Sequence, residues 1–571
     1  MSKIVKILSI TIPCLLAIMM SMAPGEELGS SVTNTKHNLT SSGPGTIKVA
    51  GTTDVCKFCH TPHASNPVAP LWNRHNVGTY YQTYKSSTLV ANVGQPSGSS
   101  RLCLSCHDGT IALTQTYNAR NAPKGSIFIS SQDKGYLGTD LSDDHPISFA
   151  YDSALATEQG HLLQPSALPK HLALDQNQQL QCTTCHDAHA NKYGKFLTMS
   201  NSESAMCRTC HIYKDWSTSS HATSSASLGE LKAQWGVQAS TVRQAACGTC
   251  HKPHTAGGRQ RLMRHEAEED NCLQCHNGTI AQTNIAAEMD KISAHQVRKT
   301  TGVHDPVEDY QIMQKHVECA DCHNPHYTKK SSTGNKAPFI KNAMLGATGI
   351  STAGNTATLA TYEYQVCYKC HSSRGTVRSP LVNRVAVNTN VAEEFSRSNP
   401  SFHPIESTGR NLNVPSLTLD YKTTSMIYCT DCHGSDTSAK GAKGPHGSRN
   451  RPMLVRAYST RDKTSESPAA YALCYSCHNR SSILANQSFS KHNDHITKRP
   501  ATCSTCHDPH GVSSTQVSGA SGTHLINFDS DIVKASITAK RGPVFVDKGT
   551  FRGTCTLTCH GEDHVDRAYP N

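Results

Sequence analysis

The sequence predicts a loop-rich chain of six repeated two-motif units, with short α-helices at twelve cysteine pairs, little β structure, and a core built on covalently held cofactors. Three observations carry this. Closely spaced cysteine pairs recur from residue 56 to residue 559. Only 36% of the 571 residues are hydrophobic and 6% aromatic, low for a conventional core at this length. Long apolar runs of period 3.6 or 2 are scarce, while Gly, Pro, Ser and Thr crowd the stretches between the pairs, as in Ser41 to Asp54 and Ser513 to Thr523.

The pattern Cys-x-x-Cys-His occurs at Cys56-Cys59-His60, Cys103-Cys106-His107, Cys182-Cys185-His186, Cys207-Cys210-His211, Cys247-Cys250-His251 and Cys272-Cys275-His276. It continues at Cys319-Cys322-His323, Cys367-Cys370-His371, Cys429-Cys432-His433, Cys474-Cys477-His478 and Cys503-Cys506-His507. A twelfth site, Cys555-Cys559-His560, reads CTLTCH and has one extra residue between its cysteines. Of the 25 cysteines only Cys14 is left over, so no separate disulfide framework can be built.

Redox dithiols, zinc sites and covalent c-type haem all use paired cysteines. A dithiol needs no histidine after it, and zinc sites combine two pairs or a pair with distant histidines. Haem attachment accounts for every residue: two thiols form thioethers and the adjacent imidazole reaches the iron. The expectation is therefore twelve haems c and their iron.

A second histidine follows at His63 (CHTPH), His189 (CHDAH), His254 (CHKPH), His326 (CHNPH) and His510 (CHDPH), and at His446 after a longer insertion. Two imidazoles on opposite faces of one iron need Cα atoms roughly 12 Å apart, with metal–nitrogen bonds near 2 Å. Three residues span at most about 11 Å. Each of these histidines must serve a different haem from the one beside it, so the short motif clips two haems together. All six belong to odd-numbered motifs, which gives the repeat of six.

Each unit also carries a histidine upstream of its first motif: His37, His145, His221, His304, His403, and His495 or His492. Six upstream and six following histidines supply one distal ligand per haem. His75, His161, His171, His265, His295, His316, His492, His524 and His564 remain, with His316, His171, His524 and His564 the first replacements.

The repeated C-x-x-C-H-x-P-H followed by a second C-x-x-C-H resembles the doubled-CxxCH multihaem cytochromes c of metal-respiring and related anaerobic bacteria. The resemblance spans nearly all of the chain after its N-terminal apolar segment and implies electron transfer through closely packed bis-histidine haems. Ala188 in place of the usual Pro and the long final motif depart from it.

The expected divisions are a signal peptide at 1–25 and two-haem units at 26–135, 136–215, 216–290, 291–395, 396–485 and 486–571. Lys3 and Lys6, the apolar run Ile7 to Met20 and the small residues after it match a secretory leader. The product is then periplasmic or at the cell surface. The formal charge of +11 does not imply nucleic-acid binding, because the haem propionates of twelve cofactors reverse it and no contiguous basic run exists.

Two functional classes follow. The first is an electron conduit, with other cytochromes or a quinol-side donor as redox partners, extracellular metal oxides as candidate acceptors, and self-association into filaments as a variant. The second is an oxidoreductase in which one open haem reduces a small nitrogen or sulfur oxyanion. An enzyme of that kind often replaces a proximal histidine, and no site here does, so no catalytic residue is assigned.

Overall fold

The short-range order follows from local capping and from little else. The computed structural model describes residues 31–75, 78–120, 122–299, 316–329, 335–373, 380–437, 442–517 and 521–570. The leader and Cys14 lie outside them, as does His304. Among the described residues no helix is long and apolar enough to cross a membrane.

The longest helices are Gly98–His107, Glu363–His371 and Ser153–Gln159, of ten, nine and seven residues. Many of the others are short turns at the cysteine pairs, and three of these begin where a side chain satisfies a free N–H group. Asp321 accepts from the Glu318 N–H at 2.8 Å and Asp431 from the Tyr428 N–H at 2.9 Å. Thr184 accepts from the Gln181 N–H at 3.1 Å. The residue just before the second cysteine thus closes the turn that holds both, a capping-box arrangement.

Sheet is confined to two-residue ladders and one four-stranded antiparallel sheet near the C-terminus. In that sheet Gly553–Cys559 lies between Val544–Asp547 and Glu562–Tyr569, and its end also pairs with Val533–Lys534. The twelfth cysteine pair therefore sits in a hairpin, where the sequence reading placed a short helix. The reason is legible afterwards: Thr554, Thr556 and Thr558 alternate with Cys555, Leu557 and Cys559, a period of two rich in β-branched residues.

Apolar packing is dispersed into small clusters. The largest gathers Ile350, Tyr364, Tyr368, Ala392, Phe395, Phe402 and Ile405, and another joins Phe528, Val533, Phe545 and Leu557 beneath the C-terminal sheet. The chain divides into two compact units, one of 1–80, 96–139 and 169–201, the other of 81–95, 140–168 and 202–571. The first holds motifs one to three and the second motifs four to twelve.

Within the first unit Arg74 is fully buried and no carboxylate is among its hydrogen-bond partners. Its guanidinium donates to Ser105 Oγ and to the carbonyls of Ser105, Ala112 and Leu113, at 2.9 to 3.2 Å. It ties the turn after the second motif to the segment after the first.

Candidate haem sites

A single α-turn explains why Cys-x-x-Cys-His is contiguous. The N–H of the histidine donates to the carbonyl of the first cysteine at 2.8 to 3.0 Å at His60, His186, His211, His251, His276, His323, His433, His478 and His507. Residues at i, i+3 and i+4 then share one face, so both thiols and the imidazole address the same ligand. His107 and His371 end longer helices to the same effect. None of the described cysteines is in a disulfide.

The imidazoles are oriented by their Nδ1 hydrogen bonds. Nδ1 of His107, His186, His251, His323, His433 and His507 donates to the carbonyls of Gly135, Lys195, Arg261, Ala343, Pro452 and His524, at 2.7 to 3.0 Å. That bond selects the tautomer in which Nε2 is the unprotonated nitrogen, the one that can bind metal.

Nine of these histidines face a second histidine. Two imidazoles bound through nitrogen to one iron place their ring centroids about 6 Å apart, given bonds near 2 Å. The separations are His60–His189 6.2 Å, His107–His37 6.2 Å, His211–His145 6.3 Å, His251–His326 6.3 Å and His276–His221 6.3 Å. They continue with His323–His446 5.9 Å, His433–His510 6.1 Å, His478–His403 6.4 Å and His507–His492 6.5 Å. Burial pushes His211, His276, His446, His478 and His507 down to about 4, and His326 and His492 to about 3. These rings stay neutral, the form that coordinates iron.

Eight of the nine pairs follow two patterns. A following histidine faces the motif two places earlier: His189 belongs to motif three and faces motif one, and His326, His446 and His510 repeat the step. His37, His145, His221 and His403 each face the second motif of their own unit, while His492 faces the first motif of its unit. The two sets are joined by hydrogen bonds, since Nδ1 of His37, His221 and His403 donates to the carbonyl just before a following histidine, at Ala188, Pro325 and Pro509. Ala188 serves as well as proline because only its carbonyl is used.

Four further candidates have other contacts. His63 is exposed and faces no other histidine ring among the described residues; its motif is the first, so none precedes it by two. His254 donates to Asp144 Oδ1 at 2.9 Å. At the last upstream site His492 faces His507, while His495 faces His564 at 6.4 Å. His560 uses its Nε2 to reach Asp462 Oδ1 at 2.8 Å.

One residue was missed. His403 follows Ser401–Phe402, which pairs with Gly511–Val512, and bonds the Pro509 carbonyl. His295 follows Ser293–Ala294, which pairs with Gly447–Ser448, and bonds the Pro445 carbonyl. His295 is the structural counterpart of His403. The signal was present in the sequence only as an unassigned histidine two residues beyond a serine.

Within each compact unit the motifs run in order. The first thiols of Cys103 and Cys182 are in hydrogen-bond contact, as are Cys207 and Cys247, Cys272 and Cys319, Cys367 and Cys429, and Cys474 and Cys503. Second thiols approach their other neighbours: Cys59 and Cys106, Cys250 and Cys275, Cys322 and Cys370, Cys432 and Cys477, Cys506 and Cys559. Motifs one to three are contiguous in the first unit, and four to twelve in the second.

Comparison with known proteins bears on the same residues. The family model of the doubled CXXCH motif matches at 174–215, 240–281 and 422–482, and each match spans two Cys-x-x-Cys-His motifs. Over these stretches the chain carries the doubled CXXCH motif, and it is a multihaem c-type cytochrome. Its haem is bound covalently through the cysteine pairs. The multihaem cytochrome MtrA of Shewanella baltica (strain OS185) is 23% identical over 247 residues, covering 38% of this chain and 62% of that protein. The chain thus spans less than two thirds of that relative's length.

Proposed function

We propose that this cytochrome is an exported electron conduit of twelve haems, each held between two histidines, organised as six two-haem units. The observation that carries the reading is the set of nine facing histidine pairs, in which one ring always belongs to a Cys-x-x-Cys-His turn. The residues fit the cofactor: imidazoles facing one another in pairs, many of them buried and oriented by an Nδ1 hydrogen bond to a backbone carbonyl, with the thiols on the same face as the proximal ring. Bound haem supplies a one-electron iron couple, and histidine in place of methionine keeps its potential low.

The chain's own part is placement. Helical turns hold eleven of the attachment faces, three of them capped by Thr184, Asp321 and Asp431, and backbone carbonyls orient many of the rings. A following histidine holds the haem two motifs back while its own turn holds another, so neighbouring cofactors are locked in sequence order. The electron path then runs along the motif order, with other cytochromes or a quinol-side donor at one end. A periplasmic or cell-surface location, metal oxides as acceptors and filament assembly belong to the same reading. His254 belongs to the distal set, and His295 takes the distal place expected of His304 at the Cys367–Cys370 haem.

The test is a pyridine haemochrome count with low-temperature EPR of the oxidised holoprotein. Twelve haems and only low-spin ferric signals are expected. A high-spin signal that shifts on adding nitrite would mean an open haem and would move the reading to an oxyanion reductase.

A further inference from the structure

The twelfth site departs from the rest in spacing, in secondary structure and in what its histidine does. Cysteines three apart share a face on a helix but point to opposite faces on a strand; cysteines four apart share a face on a strand. The extra residue in CTLTCH therefore matches its hairpin. Cys555, Leu557 and Cys559 all pack toward the cluster of Phe528, Val533 and Phe545. The opposite face is polar: Thr558 donates to Asp563 at 2.6 Å and Thr556 to Asp566 at 2.9 Å.

The same alternation sends His560 away from Cys559, its neighbour in the chain. His560 and Gly561 form the two-residue turn between Gly553–Cys559 and Glu562–Tyr569, both at positive φ, 48° and 82°. Its Nε2 is committed to Asp462 at 2.8 Å. Two axial ligands of one iron stand about 4 Å apart at bond lengths near 2 Å, so that contact leaves no room for a metal.

His564 holds the position His560 lacks. It is the cross-strand partner of Leu557, which stands between the two cysteines. Directly opposed residues point to the same face, so His564 shares a face with both thiols. Its ring faces His495 at a centroid distance of 6.4 Å, within the 5.9 to 6.5 Å of the nine other pairs. His495 Nδ1 donates to the Lys491 carbonyl at 2.8 Å, which leaves its Nε2 free in the same manner as the other ligands.

We propose that the haem attached at Cys555 and Cys559 is ligated by His564 and His495, and that His560 is a structural residue hydrogen-bonded to Asp462. The five-residue π-turn Asp494–Lys498 holds His495, and His492 stands just ahead of its cap Asn493, so His492 and His495, three residues apart, serve two neighbouring haems. They repeat at the C-terminal end what the following histidines do elsewhere. Cys506 lies close to Cys555 and Cys559, as that arrangement requires.

The inference rests on the conduit reading, and its test separates the two. In the purified wild-type holoprotein, twelve low-spin haems support the reading itself; a high-spin signal at several haems would fail it. An experimental density map of that protein should show the twelfth iron bonded to Nε2 of His564 and His495; a bond to His560, or no haem on the Cys555–Cys559 peptide, would overturn the assignment alone. As a second measurement, His564→Ala should convert one haem in twelve to high-spin ferric, reversed by added imidazole. If that variant stays wholly low-spin, the assignment is wrong.

Discussion

His446 lies over His323, ring centroids 5.9 Å apart and planes 11° apart, although it ends the longest insertion between a haem motif and its following histidine. The insertion is anchored on both sides. Lys291 Nζ bridges Glu288 Oε2 and Asp436 Oδ1, both at 2.6 Å and largely buried, and Thr437 donates to Glu288 at 2.6 Å. Beyond it Gly447–Ser448 pairs with Ser293–Ala294.

Gly447 permits that approach, since a Cβ there would stand 1.8 Å from the Glu288 carbonyl oxygen. Gly447→Ala should push the strand off Glu288 and pull His446 away from His323, the ring it faces. EPR should then show one high-spin haem, while Gly94→Ala, which meets nothing within 4 Å, leaves the spectrum unchanged.

His510 donates from Nδ1 to Glu394 Oε2 at 2.8 Å, and the carboxylate is buried. A carboxylate partner makes a ligating imidazole more basic and favours the ferric state. Glu394→Gln should raise the potential of the haem at Cys429–Cys432, read as one shifted component in a spectroelectrochemical titration. An unchanged titration would mean that His510 does not ligate.

The counterpart relation between His295 and His403 predicts that His295→Ala exposes one high-spin haem. His304→Ala should leave all haems low-spin. The opposite result in the same pair of spectra would return the role to His304.

Burial raises the Glu406 carboxyl to about 7 from its ordinary 4.5, with the Tyr368 hydroxyl donating to it at 2.7 Å. A folded-state pKa above the unfolded one gives stability that is complete below about 4.5 and is lost as pH rises through about 7. The melting temperature should therefore fall between about pH 5 and about pH 8 more steeply in the wild type than in Glu406→Gln. Parallel curves would exclude the effect.

Removing the Arg74 guanidinium strands three buried carbonyls. Arg74→Ala should destabilise the first unit by about 3 kcal/mol or more. Faster hydrogen exchange in peptides of residues 57–75 and 102–118, with little change beyond residue 202, is the expected readout.

The sequence by itself determined the attachment chemistry, because two thiols and an imidazole within five residues are brought to one face by a single turn, and nothing distant enters. It also determined that a following histidine cannot serve its own haem, which is a matter of chain length. Cys-x-x-Cys-His was therefore legible at eleven sites, and so was a loop-rich, cofactor-centred fold. Which histidine meets which proximal ring was decided only in three dimensions, since each pair joins residues far apart in the chain. His295, His492 and His564 stand in places that local spacing could not rank against His304, His495 and His560. Only the fold shows a β-ladder bringing His295 to the Pro445 carbonyl, His492 set over His507 while the π-turn after it carries His495 to His564, and strand alternation turning His560 away from the thiols beside it.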